Sequence, residues 1–287
     1  MMKLTDISVI RSLLGEEQTT FKKKFGQNFL INESVVERIA QGCGDDAHAG
    51  VLEIGPGIGV LTCQLAKRFD KVVTVEIDDT MIPILEKTLA EFDNISVIHS
   101  DILKVDLKSL VKEHFSDVSE IRVCANLPYY ITTPILMYLL ESEVKFKSIT
   151  VMVQKEVADR LTAPAGSSLY GAITASLSYY GKASRLFVVS AGNFMPAPKV
   201  DSAVVRIDLY DTPPVNADFK TLMRVIRGAF LQRRKTLVNA LASEFSHISK
   251  ENIGNAITSC GFSADIRGEK LSLDDFAKVA NALSAMR

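Results

Sequence analysis

The amino-acid sequence predicts an α/β fold in two parts, an open and largely parallel sheet followed by a small all-helical domain. Three observations lead there. Short apolar runs alternate with stretches of helical periodicity through the first two thirds of the 287 residues. Four of those runs end directly in polar or glycine-rich turns of the kind that meet ligands. Beyond a polar, proline-paired segment at 211–218, only helical spacing remains.

The first strand, 51–54, enters Gly55-Pro56-Gly57-Ile58-Gly59-Val60 and leaves as a helix marked by Leu61, Leu65, Ala66 and Phe69. Gly55, Gly57 and Gly59 let a flat or elongated ligand lie against the backbone. The spacing Gly-x-Gly-x-Gly differs from the Gly-x-Gly-x-x-Gly that brings a pyrophosphate onto a helix, but taken alone the turn leaves a dinucleotide oxidoreductase open. The second strand, 72–75, ends in Glu76, a carboxylate placed to accept both hydroxyls of a ribose. The third, 95–98, runs into Ser100-Asp101-Ile102-Leu103, where Asp101 can take the amino group of an adenine and Ile102 can cover its ring. A turn-capping aspartate is the plainer alternative at that position.

The fourth strand, 121–125, delivers Asn126-Leu127-Pro128-Tyr129: an amide acceptor, a backbone carbonyl held by a proline, and an aromatic face. This is equipment for gripping a flat base with an exocyclic amine. A helix follows from about Pro134, with Thr133 as a possible cap. In an open parallel sheet the carboxyl ends of the strands converge on one crevice, so the four motifs reinforce one another.

Residues 148–153, 185–189 and 204–209 read as further strands. Before the last of them lies Asn193-Phe194-Met195-Pro196-Ala197-Pro198-Lys199, whose prolines rule out central-strand pairing and predict a rigid exposed loop. Phe194 on that loop is expected to stack on a base, the alternative being a hydrophobic plug beneath it. Helices are predicted at about 218–231, 234–244, 249–258 and 272–285, with Gly261 and Gly268 among the breaks. The domain division that results is a loose extension at 1–20, an α/β domain at 21–211, a linker at 212–217 and a helical domain at 218–287, which the basic residues and the resemblance given below imply to be a catalytic and an RNA-binding domain.

Composition narrows the function. No run of 18 uncharged apolar residues occurs and the start has no signal-peptide pattern, so a cytoplasmic protein is expected. The four cysteines share no Cys-x-x-Cys spacing and the four histidines are scattered, so no metal site is expected. The net charge of -1 hides an asymmetry: residues 1–216 carry 22 basic and 27 acidic side chains, residues 217–287 carry 11 and 7. Lys22-Lys23-Lys24, Arg224, Arg227 and Arg233-Arg234-Lys235 form the basic candidates for holding RNA phosphates, against the bland reading of solvated helix ends.

With these residues in hand, the chain resembles the bacterial small-subunit ribosomal RNA adenine dimethyltransferases over about residues 21–285. The resemblance rests on Lys24-Phe25-Gly26-Gln27-Asn28-Phe29-Leu30, Glu53-Ile54-Gly55-Pro56-Gly57-Ile58-Gly59, Glu76-Ile77-Asp78, Asn126-Leu127-Pro128-Tyr129, the 194–202 loop and Phe230-Leu231-Gln232-Arg233-Arg234-Lys235-Thr236-Leu237. It implies a Rossmann-like, seven-stranded S-adenosylmethionine-dependent methyltransferase sheet. The implied reaction is dimethylation of two adjacent adenosines in the 3′-terminal hairpin loop of 16S ribosomal RNA, within an immature 30S subunit, by a monomer. It further implies that Gln27, Asn28 and Leu30 cover the cofactor. Glu53, Gly55, Gly57 and Gly59 would lie along it, Glu76 and Ile77 beside its ribose, and Asp101 and Ile102 on its adenine. Asn126 would contact both partners. Ser100 departs from the glycine usual in the family, and cofactor binding is expected to survive that change.

The implied chemistry is a direct displacement at a methyl carbon, with Asn126 and the Leu127 carbonyl as acceptors for the adenine amine, Pro128 aiming that carbonyl, and Tyr129 and Phe194 sandwiching the base. Two rivals remain at this level. One is a 23S ribosomal RNA adenine methyltransferase of the resistance type, the other a non-catalytic assembly factor that docks through its basic domain.

Overall fold

Among the described residues the apolar runs assemble into nine strands, β1 (Phe29–Leu30), β2 (Asp46–Ile54), β3 (Phe69–Glu76), β4 (Ile95–His99), β5 (Glu120–Asn126), β6 (Phe146–Gln154), β7 (Gly181–Val189), β8 (Phe194–Met195) and β9 (Ser202–Leu209). Seven of them form one sheet in the order β4-β3-β2-β5-β6-β9-β7, while β1 and β8 pair separately. The pairs from β4 through β6 are parallel, and β9 runs antiparallel to β6. The computed structural model describes residues 2–16 and 27–286. Strands β3 and β6 are buried along nearly their whole length, which explains why they read as continuous valine and isoleucine runs rather than alternating ones.

Helices form where apolar residues recur at helical spacing and a polar side chain stands at the start. Helix Glu33–Cys43 buries Val35, Val36, Ile39, Ala40 and Cys43, and Asn32 caps it by accepting from the Ser34 N–H. Its buried side joins Val51, Leu61, Leu65 and Val72 in one core beneath the sheet.

Two compact units result: one holds the chain up to Ala158 together with Ser184–Leu209, the other Asp159–Ala183 together with Tyr210 onward. The second unit is helical, built on Phe219–Leu231, Leu237–Glu244, Lys250–Ser259 and Leu273–Ser284. Asp218, Thr236, Ser249 and Ser272 cap these four helices, the last through a reciprocal capping box with Asp275.

Three expectations are corrected. Residues 159–183, assigned from sequence to the catalytic domain, belong by packing to the helical unit: Ala163, Tyr170 and Ala175 share a core with Val225, Ile226 and Phe276. The helix expected from 234 begins at Leu237, because the Thr236 hydroxyl takes the Asn239 N–H and 232–235 is closed off as a turn by a Lys235-to-Gln232 backbone bond. The segment expected to be a loose N-terminal extension contains helix Ile7–Glu16, started by the Asp6 carboxylate accepting from the Ser8 N–H at 2.7 Å. Leu4, Ile10, Leu13 and Leu14 from this segment are buried against Ile58, Met81, Ile84 and Leu85.

That packing is measurable. Ile10 is 0% exposed, so Ile10→Ala is expected to lower the unfolding free energy by about 2–5 kcal/mol in a urea titration. A variant indistinguishable from the parent would mean that the helix does not share the core.

Candidate active site

The chain runs from β2 outward through β3 to β4, then returns to lay β5 on the other side of β2, so a crevice opens at the carboxyl ends where the strand order reverses. A cleft of about 1120 Å³, its open mouth included, occupies that place. Residues 27–30, 53–57, 75–77, 100–102 and 126–131 contribute to its wall, so the four strand-end motifs come together as the sequence implied.

Gly55 has φ +70 and an N–H bonded to the Val75 carbonyl at 2.9 Å, which ties the turn to β3. A Cβ at Gly55 would meet nothing within 4 Å, so its backbone faces open space that a ligand can fill. Gly59 plays a different part from the one assigned. It is not on the cleft wall but caps helix Val60–Ala66 at φ +87, and a Cβ there would collide with Leu89 at 2.9 Å.

Glu76, at the end of β3, accepts the Gly57 N–H at 3.2 Å and the Asp78 N–H at 2.9 Å. Burial raises its pKa, and those two donors pull the other way. Asp101 combines both readings of the sequence: its carboxylate caps the 102–104 turn through the Leu103 N–H at 3.1 Å, and it also lines the cleft beside Ile102. Ile77 is exposed on the same wall. The 27–30 segment closes one side, held by a 2.8 Å bond from Gln27 Nε2 to the buried Asp78 carboxylate and by the pairing of Leu30 with Phe194.

At the end of β5, Asn126 Nδ2 donates a long 3.4 Å bond to the Asn28 carbonyl, which leaves Oδ1 as the atom of this amide for an incoming donor. The Leu127 N–H is bonded to Met152, and the Pro128 carbonyl receives both the Ile131 N–H and the Thr132 hydroxyl. The motif is thereby braced on both sides of the Leu127 carbonyl. Tyr129 is half-buried with its hydroxyl 2.7 Å from Ser202 Oγ, and burial raises its pKa.

Phe194 requires a correction. It is 3% exposed, packed with Leu30, Val36 and Val204, and absent from the cleft wall, so the plug alternative describes it and the base-stacking expectation does not. Its register opposite Leu30 is a long-range pairing that the two prolines of its loop do not reveal. Sequence reasoning also passed over Tyr130, which lines the cleft at 63% exposure. The doubled tyrosine at 129–130 was the available signal.

Of the basic candidates, Lys22, Lys23 and Lys24 lie outside the described residues. Arg224 bonds the Glu244 carbonyl and stacks 4.3 Å over Phe245, while Arg233 reaches the Ser168 and Tyr170 carbonyls at 3.0 Å, so both have structural work within the helical unit. Arg227 pairs with Glu244 at 3.2 Å but stays exposed, as do Arg234 and Lys235.

The cleft wall is strongly one-signed. Glu53, Glu76 and Asp101 line it, with no Lys, Arg or His among the described lining residues. Glu53 is 1% exposed, and burial pushes its carboxyl from 4.5 up to about 8; the Thr62 and Thr74 hydroxyls oppose the rise and Glu76 adds to it. Between those pH values the folded protein holds a proton that the unfolded chain has released, so Glu53 makes stability fall as pH rises through that window. Glu53→Gln is therefore expected to raise the melting temperature above that of the parent at pH 8, by a free energy on the order of a few kcal/mol, with the gap closing toward pH 5. Thermal unfolding across that range decides it, and a gap independent of pH contradicts the assignment.

Comparisons with known proteins agree with this geometry. Residues 18–284 match the family model described as ribosomal RNA adenine dimethylase. The chain is 44% identical over 287 residues to the ribosomal RNA small subunit methyltransferase A of Streptococcus gordonii, covering 99% of each chain. It is also similar to the crystal structure of a dimethyladenosine transferase from Plasmodium falciparum, with a TM-score of 0.73, 26% identity and coverage of 90% and 98% of the two chains. The fold is shared with the 23S rRNA methyltransferase ErmE at a TM-score of 0.70 and 23% identity, over 90% of this chain and 100% of the other. A seven-stranded sheet with its ligand groups at one edge and a near full-length match to a single family lead to one assignment: the chain belongs to the ribosomal RNA adenine dimethylase family.

Proposed function

We propose that this protein transfers methyl groups from S-adenosylmethionine to the N6 amines of two adjacent adenosines in the 3′-terminal hairpin loop of 16S ribosomal RNA. The particle acted on is an immature 30S subunit in the cytoplasm. The observation that carries the reading is the junction of an acidic cleft with Asn126-Leu127-Pro128-Tyr129 at the end of β5. No helix of the described residues is long and apolar enough to cross a membrane.

The residues present fit S-adenosylmethionine. Glu76, fixed by two backbone donors, can accept ribose hydroxyls; Asp101 and Ile102 suit an adenine; the open space at Gly55 suits the chain beyond the ribose. The wall of three acidic side chains, with no basic residue among the described lining residues, suits a ligand with positive charge at its far end. When bound, the cofactor supplies an electrophilic methyl carbon on a sulfonium.

The chain's own residues prepare the amine. An adenine amine is conjugated with its ring, and acceptors for its two hydrogens favour the more tetrahedral, nucleophilic nitrogen. Asn126 Oδ1 and the Leu127 carbonyl supply them, held in place by the bonds to Asn28 and Met152. Tyr129, locked through Ser202, offers a ring on which an unstacked base can rest. With the methyl donor bound, these acceptors would hold the amine's lone pair toward the methyl carbon, so that a nitrogen–carbon bond would replace the carbon–sulfur bond and the proton released from nitrogen would pass to water. Exposed Arg227, Arg234 and Lys235 in the helical unit suit phosphate contacts.

The near full-length similarity to the Streptococcus gordonii enzyme favours the small-subunit substrate over 23S RNA. A purely non-catalytic assembly factor leaves the braced amide and the acid cleft without use. Methyl incorporation from S-adenosylmethionine into immature 30S particles, naked RNA, 50S particles and DNA tests the reading. Incorporation is expected on 30S material, and Asn126→Ala should lower the turnover by roughly 10²–10³-fold, the scale of one lost transition-state hydrogen bond. Incorporation confined to 50S material, or undiminished in Asn126→Ala, would overturn it.

A further inference from the structure

Glu53 stands out among the three acids of the cleft. Glu76 retains two backbone N–H donors and Asp101 retains one, whereas Glu53 Oε2 is buried with no hydrogen-bond partner among the described residues. In the sheet Glu53 sits opposite Thr74 of β3 on one side and Cys124 of β5 on the other. The groups that act on it or respond to it are Thr74 and Glu76 from β3, Thr62 and Cys63 from helix Val60–Ala66, and Cys124 from β5. No cation is among them. With one oxygen buried and unpartnered and no cation among these groups, the Glu53 carboxylate is less stable there than its neutral acid until a positive group arrives.

We infer that Glu53 is a proton-coupled receptor for the cationic end of the methyl donor: binding expels the Glu53 proton to solvent, and the freed carboxylate pairs with the ligand's positive charge. The inference rests on the proposed use of S-adenosylmethionine and concerns how that site recognises it. The exchange conserves charge in a buried space, one cation entering as one proton leaves. It also gives the cleft a preference, because a ligand without positive charge at that end cannot drive the proton out. With the carboxyl at about 8, roughly nine in ten Glu53 side chains carry the proton at pH 7, so close to one proton is released per ligand bound.

Calorimetry of the full chain with S-adenosylmethionine, in buffers of different ionisation enthalpy, counts the protons exchanged. The Glu53→Gln protein serves as reference: its amide copies the shape and neutrality of the protonated acid, so it should fold, and it cancels any titration of the ligand's own ammonium group. At pH 7 the parent is expected to release close to one proton more than Glu53→Gln, the difference vanishing by about pH 9, and Glu53→Gln should bind at least tenfold more weakly. Glu76→Gln should weaken binding while keeping the proton release. Difference infrared spectroscopy of the parent gives a second reading, expected to show loss of a protonated-carboxyl C=O stretch when S-adenosylmethionine is added. Equal proton counts in parent and Glu53→Gln overturn the inference, as does an unchanged carboxyl band. Failure of the parent to bind S-adenosylmethionine overturns the proposed cofactor instead.

Discussion

The parallel registration of β4, β3, β2 and β5 is the constraint on which the site depends. Each of these strands ends in a segment with little apolar content of its own, and each segment is fixed by backbone bonds that only the registered sheet makes available. Gly55 is tied to Val75, Ser100 to Glu76, and Leu127 to Met152. A slip of one residue in any pair would exchange the two faces of a strand and remove Glu53 or Thr74 from the shared interior. The buried runs of Val, Ile and Leu that fix this register are thus part of the binding chemistry, although no apolar side chain of the sheet's middle takes part in it.

What could be read in the sequence follows from the same logic. The glycine turn, Glu76, Asp101 and Asn126–Tyr129 were legible because each lies at the junction of a short strand and a polar turn, where local pattern decides position and the parallel topology decides convergence. Phe194 and helix Ile7–Glu16 were not, because burial there is settled by partners far along the chain: Leu30 for the one, and Ile58, Met81 and Leu85 for the other. Arg224 and Arg233 look alike in sequence to Arg234, yet the first two are drawn into carbonyl contacts and Arg234 stays exposed. The unusual state of Glu53 was hidden for a further reason: a glutamate before a glycine turn carries no mark of whether its second oxygen will find a donor.

Charge is sorted between the two units in a way that suits two ligands of opposite sign. The sheet unit turns acids into its cleft, where a positively charged small molecule is favoured and phosphates are not. The basic excess lies in residues 217–287, where Arg227, Arg234 and Lys235 remain exposed. A near-neutral chain can therefore serve a polyanion, because affinity depends on clustered charge rather than the total. The acid cleft gains from this sorting as well, since an RNA backbone would be repelled from it while an uncharged base would not.

Dimethylation places a further demand on the β5 turn. After one transfer the amine has a single hydrogen left, so one of the two acceptors must face a methyl group instead. The Asn126 amide is held by a long 3.4 Å bond, whereas the Leu127 carbonyl is fixed in the backbone between two bonded neighbours. Of the two, the Asn126 side chain can yield by rotating about its own bonds, and the carbonyl cannot. On the proposed reading, the second transfer would keep the remaining hydrogen on the Leu127 carbonyl while the first methyl displaces the amide, a movement that the long Asn126–Asn28 bond permits. A tighter lock on Asn126 would favour release after a single methyl group.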